Sequence, residues 1–150
     1  MNINVKKIDK NLEEYIEIGC HVHDGRIDDI IRFVKGLGGS VSGVKEEKRY
    51  EIPVSEIFYI ESVDNRTFLY TRDNCYETSV KLYEFEELLK GKCFLRISKS
   101  VVLNTMKVES IKPALNGRFS CLLQNGESVI ISRKYVRDFK EFISGRGVRA

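Results

Sequence analysis

Three short stretches in the later part of the chain combine cations with hydroxyls and amides: FLRISKS (94–100), KPALNGR (112–118) and ISRKYVRDFK (131–140). Ser hydroxyls, Asn amides and Lys/Arg side chains grip phosphates, and Arg, Lys and Asn also read base edges in a major groove. Any one of these stretches reads equally well as a solvated strand end. Their charge context favours a polyanion. Residues 1–91 hold 13 Lys/Arg against 18 Asp/Glu, whereas residues 92–150 hold 12 against 4. The modest net charge of +3 therefore hides an acidic portion beside a basic one. That asymmetry suits a protein that meets nucleic acid on one side.

Other groupings carry less chemistry. In CHVHD (20–24) a strand would place His21 and His23 on one face, where two imidazoles could converge on zinc. Cys20 would then point the other way, and these are the chain's only two histidines. Adjacent strand residues face opposite sides, which also excludes a Cys-His dyad here. The glycines of GLGGSVSG (36–43) follow a helical pattern where a phosphate loop must precede one, so they read as an exit turn. Glu84, Glu86 and Glu87 lie opposite an apolar helix face and read as solvated. No catalytic residue, metal, cofactor or small-molecule substrate is expected.

The four cysteines (Cys20, Cys75, Cys93, Cys121) form no C-x-x-C pair, and the N-terminus lacks a secretory apolar stretch. Reduced thiols and a cytoplasmic location are expected. No apolar run approaches the roughly 18 residues of a membrane span.

The elements that must position the basic stretches are mostly strands. EIPV, IFYIES, TFLYTR, CYETSV, FLRIS, VVL, VESIKP, FSCLLQ and SVIISR follow one another between Glu51 and Arg133. Asp64-Asn65, Asp73-Asn74, Asn116-Gly117 and Asn125-Gly126 supply the breaks. Asn-Gly between apolar runs is a strong hairpin signal, since both turn residues need positive φ. Two helices interrupt the strands. VKLYEFEELLKG presents Leu82, Phe85 and Leu88/Leu89 on one side and stops at Gly91. A closing helix over Lys134–Ile143 sets Val136, Phe139, Lys140 and Ile143 on one face.

Before these lies a small strand–helix unit. INVKKI and EYIEIGCHV have strand character. DGRIDDIIRFVKGLGG is helical, with Ile27, Ile30, Ile31, Val34 and Leu37 on one face, Asp24 or Asp28 as cap, and Gly36, Gly38 and Gly39 ending it. The polar stretch GSVSGVKEEKRYE (39–51) reads as a linker. The expected organisation is an N-terminal extension over 1–48, read as extending the fold, dimerising or touching a signalling partner, and a second domain over 49–146, in an α+β, mainly antiparallel β fold.

Over about residues 51–143 the chain resembles the LytTR DNA-binding family. The family stretch F-x-R-x-H-R-S-x-x-V-N stands here as FLRISKSVVLN, with Ser98 where many members have histidine and Lys99 where they have arginine or another polar residue. The closing S-R-x-Y stands as Ser132-Arg133-Lys134-Tyr135. The resemblance implies an elongated antiparallel β fold with short helices, whose loops enter successive major grooves of bent double-stranded DNA. It also implies paired direct-repeat sites, each pair taking two copies, hence a homodimer on DNA.

By motif position the reading loops are Asn65-Arg66-Thr67, Lys99-Ser100 and Ser132-Arg133-Lys134. Thr67 or Arg66, Lys99 and Lys134, with Arg133 close behind, are expected at base edges. Ser100, Ser132 and Asn116 are expected at phosphates, and Asn104 in a structural role. The residues before the domain are too few for the phosphoacceptor receiver of many members, so a stand-alone transcriptional regulator is expected. Chains of this layout look like partners of small membrane proteins in signalling. The alternative reading is a protein-interaction module of a signalling system that does not read DNA.

Overall fold

The computed structural model describes residues 1–36, 38–90 and 92–145, so the expectations at Leu37 and Gly91 lie outside the described residues. In chain order the elements are α1 (Gly25–Gly36), β1 (Ser40–Lys45), β2 (Lys48–Pro53), β3 (Tyr59–Val63), β4 (Arg66–Tyr70), β5 (Cys75–Thr78) and α2 (Leu82–Leu88). They continue with β6 (Phe94–Arg96), β7 (Val101–Asn104), β8 (Val108–Pro113), β9 (Phe119–Leu123), β10 (Ser128–Ile131) and α3 (Arg133–Gly145). Pairing is antiparallel throughout. One sheet has seven strands in the order β2-β1-β5-β4-β3-β7-β6, and the other has three in the order β10-β9-β8.

The strands form where apolar residues alternate, and alternate positions feed two cores. Ile52, Ile57, Ile60, Leu69 and Val102 pack with Leu82, Phe85 and Leu89 around α2. Phe58, Ile97 and Leu103 pack with Cys121, Leu123 and Ile131 of the small sheet and with Phe139 and Ile143 of α3. The large sheet is thus sandwiched between α2 on one face and the small sheet with α3 on the other. A polar tie reinforces the second layer. Arg72 donates to the carbonyl of Gln124 at 3.1 Å, and Asn125 Nδ2 donates to the carbonyl of Arg72 at 3.1 Å. The cations of Arg72 and Lys107 lie over the Phe58 ring, at 5.5 and 5.2 Å from its centroid.

Positive φ at both residues marks two of the four expected breaks, and neither Asp73 nor Asn74 has it. Asp64 and Asn65 have φ of 51° and 64°, and Asn116 and Gly117 have φ of 61° and 74°. At Asn125-Gly126 only the glycine is left-handed, at φ 89°, so that turn is not built with both residues at positive φ. Of the helical face read in VKLYEFEELLKG, Leu82, Phe85 and Leu89 are buried, but Leu88 faces solvent. In α3, Phe139 and Ile143 are buried and Val136 partly so, while Lys140 stays exposed over the Phe119 ring at 4.6 Å.

Two readings of the first half are corrected. Residues 39–51 are no linker: β1 and β2 form a hairpin in continuous register from Ser40↔Pro53 to Lys45↔Lys48, and β1 joins β5 at Val44↔Glu77. The polar texture that suggested a linker belongs to an edge hairpin with one solvated face. Its two-residue turn uses Glu46 and Glu47 at positive φ, where no Gly or Asn marks it. INVKKI and EYIEIGCHV form no strand and pair with none of the strands among the described residues. The helical unit does form. Asp24 starts α1, its carboxylate accepting from the Ile27 amide at 3.3 Å, and Ile27 is buried.

Candidate nucleic-acid interface

The bend between β6 and β7 is a turn held by its own side chains. Arg96 Nε donates to the Ser98 carbonyl at 2.8 Å, and the same guanidinium bonds the Lys99 carbonyl and pairs with Glu86 of α2. The Ser100 amide donates to Ser98 Oγ at 3.2 Å. The serine that stands where relatives carry histidine therefore folds back to shape the bend. Lys99, whose carbonyl is so fixed, has an exposed side chain. A fixed backbone under an exposed cation lowers the entropy that Lys99 loses on meeting an anion.

Two backbone bonds align this bend with the neighbouring loops. The Ser62 amide donates to the Ser100 carbonyl at 2.9 Å, which brings the Asp64-Asn65 turn alongside. The Ser132 amide donates to the Ile97 carbonyl at 2.9 Å, which brings up the start of α3. Loops from three separate parts of the chain are therefore neighbours, with the β6–β7 bend bonded to each of the other two.

The first two loops enclose an open concavity of ≈ 550 Å³. Asn65, Thr67, Lys99 and Ser100 line it, as do Lys81, Tyr83 and Arg96, with Asp64 the one acid in its wall. Lys81 and Tyr83 had no motif to mark them. Their signal is positional, since they open the helix that packs beside β7.

Two expected readers in the first loop sit less freely than the sequence implies. Thr67 is only 3% exposed and pairs with Thr78 inside the sheet, so it offers the concavity almost no accessible surface. Arg66 is exposed but committed. Its Nε and Nη2 bond the Glu77 carboxylate at 2.9 and 2.6 Å, and its guanidinium lies 5.3 Å from the Phe68 centroid. That contact lowers the Glu77 carboxyl below its ordinary range and raises the guanidinium. Asn65, at the turn itself, is exposed.

At the far end, Ser132 precedes α3 and its carbonyl accepts from the Tyr135 amide at 2.8 Å. Arg133 and Lys134 are exposed in the first turn, which contains no acid. Cations at a helix start oppose the helix dipole, and an anion there relieves both. Lys134 Nζ lies 5.7 Å from the Tyr135 ring centroid. Gly117, next to Asn116, packs on one of these side chains, that of Arg133. A Cβ at Gly117 would come within 2.9 Å of Arg133 Cδ, so the stem of Arg133 runs along the hairpin backbone. The structure thus joins Asn116 to Ser132-Arg133-Lys134, and Asn65 to Lys99-Ser100.

Asn104 closes the β7 end of the motif from inside. It is 4% exposed, donates through Nδ2 to the Ile57 carbonyl at 2.8 Å, and accepts the Met106 amide at 3.0 Å. Its role is structural, as the motif implied.

Comparison with known proteins bears on the same segment. The LytTr DNA-binding domain profile matches residues 47–144. The sensory transduction protein LytT of Enterococcus faecalis is 30% identical over 108 residues, covering 71% of this chain and 45% of LytT, so the chain spans under half of that relative. An uncharacterised HTH-type transcriptional regulator of Staphylococcus aureus (strain MSSA476) is 27% identical over 146 residues, covering 96% of this chain and 99% of the relative. Among solved structures, the LytTr DNA-binding domain of a putative methyl-accepting/DNA response regulator from Bacillus cereus superposes with a TM-score of 0.66 at 26% identity. That match covers 69% of this chain and 95% of the other. With its profile match, its fold and its motif residues in agreement, the chain belongs to the LytTr DNA-binding domain family.

Proposed function

We propose that this chain is a cytoplasmic transcriptional regulator that binds double-stranded DNA in a sequence-specific way, as two copies on direct repeats. The Asn65 turn, the Lys99-Ser100 bend and the Ser132-Arg133-Lys134 helix start insert in successive major grooves. The observation that carries the reading is the alignment of these three loops by the Ser62–Ser100 and Ser132–Ile97 hydrogen bonds. Cations and amides gathered on neighbouring loops are the groups that contact the phosphates and base edges of a duplex.

Within this reading Lys99 and Lys134 meet base edges, with Arg133 behind them. Ser100, Ser132 and Asn116 hold phosphates. Asn65 takes over the contact first ascribed to Thr67, whose burial withholds it. Arg66 reaches DNA only by leaving Glu77, an exchange that costs little because the pair is exposed to solvent.

Selection of bound duplexes from a random pool is expected to return a repeated motif. Affinity for that motif is expected to fall with salt, log K against log[salt] having a slope of about −5 if about six phosphates are neutralised. Failure to enrich any sequence, together with salt-independent binding, overturns the proposal.

A further inference from the structure

The three acids on the polar side of α2 do three different things. Glu87 is exposed to solvent. Glu84 turns back on the start of its own helix and accepts from the Lys81 amide at 3.1 Å. Glu86 reaches across to β6, where its carboxylate pairs with the Arg96 guanidinium.

That guanidinium ties the β6–β7 bend to the helix. Its Nε and Nη2 donate to the carbonyls of Ser98 and Lys99, and its Nη1 donates to Glu86. A guanidinium is planar and presents its donors in fixed directions, so three partners at once leave it a single orientation. Glu86 in turn follows Phe85, which is fully buried and packs with Leu82 and Leu89 in the core. The carboxylate is therefore mounted on a helix that cannot shift without opening that core. We propose that Glu86 is a positioning residue for DNA recognition: it holds Arg96, and through Arg96 the bend, in the pose from which Lys99 meets the duplex. The inference rests on the proposed DNA reading.

Local charge explains why a carboxylate is needed behind Arg96. Lys81, Arg96 and Lys99 line one concavity, in whose wall Asp64 is the single acid. Two like charges push the guanidinium outward, and neutral carbonyls hold it less firmly than an anion does. Glu86 supplies the anion on the side away from the opening. The contrast with Arg66 and Glu77 is one of exposure and of added partners. Those side chains are 61% and 41% exposed, whereas Arg96 is 24% exposed and holds two backbone carbonyls as well.

The sign of one substitution separates this role from simple electrostatics. An acid beside a DNA-binding face repels the duplex, so if charge alone mattered its removal would tighten binding. Glu86→Ala is instead expected to weaken binding to the selected duplex roughly three- to tenfold. Glu86→Gln, which keeps an oxygen acceptor for Arg96, is expected to lose less, and Glu87→Ala to lose nothing. In a Lys99→Ala background Glu86→Ala is expected to cost nothing further, because the cation it positions is gone. In the DNA-free protein, amide order parameters at Lys99 and Ser100 are expected to fall in Glu86→Ala and to stay at wild-type values in Glu87→Ala. Circular dichroism shows that each variant is folded under the assay conditions. Unchanged or tighter binding by Glu86→Ala, a loss that persists undiminished without Lys99, or a bend as rigid as the wild type's overturns the proposal. A wild type that selects no duplex counts against the proposed function, and the order parameters then decide by themselves whether Glu86 holds the bend.

Discussion

Lys99 presents its charge from a bend whose carbonyls are held by Arg96, whereas Asn104, five residues on, spends its side chain inside the sheet. The two positions separate recognition from support. Lys99→Ala and Lys134→Ala are each expected to cost about 1–3 kcal/mol on the selected duplex if each reads a base, with smaller loss on random DNA. Binding isotherms on both duplexes check this, and an equal loss on the two reassigns the residue to phosphate contact. Asn104→Ala removes one bond to buried backbone and one to part-buried backbone, and is expected to lower unfolding free energy by about 1–3 kcal/mol. Denaturant titration measures that cost, and per folded molecule the affinity for DNA is expected to stay as in the wild type.

Among the elements, the β1–β2 hairpin depends on Gly43 for its seat. A Cβ there would stand 2.8 Å from both Ile52 Cδ1 and Tyr76 Cβ. The first can swing away, but the second is rooted in the strand beyond, so the hairpin must lift. Gly43→Ala is expected to destabilise by about 1–3 kcal/mol in thermal or denaturant unfolding. A change inside 0.5 kcal/mol would show that the edge yields without strain. This hairpin was also the least legible element. Its Glu46-Glu47 turn lacks the residues that announce positive φ, and its exposed face dilutes the alternation. The strands from Tyr59 to Ile131 were legible because short apolar runs around Ile60, Leu69 and Val102-Leu103 lie between breaks of Asp, Asn and Gly. Alternation alone misleads at residues 13–22, since a strand also needs a neighbour, which periodicity within one chain does not supply. In the site, cation-rich bends were readable from residue type. The burial of Thr67 and the commitment of Arg66 to Glu77 were not, because both depend on the cross-strand partners Thr78 and Glu77. Lys81 and Tyr83 enter the concavity only through the packing of α2 on the sheet.

At the scale of the whole molecule, one sheet supplies both cores. Ile57 and Phe58, or Val102 and Leu103, are neighbours in sequence that face opposite layers. Neither layer can melt by itself: stripping α2 away wets the same strands that hold the small sheet and α3, and the reverse is equally true. The fold should therefore lose its structure in a single cooperative step, despite having two hydrophobic centres. Cys121 offers a reporter deep in one of them. It has no exposed surface, and burial pushes its thiol up to about 12, so it should resist thiol reagents at neutral pH until the protein opens. In a Cys20, Cys75 and Cys93→Ser background, its labelling midpoint in denaturant is expected to coincide with loss of the far-ultraviolet signal. Two separated midpoints would reveal the layers as independent melting units.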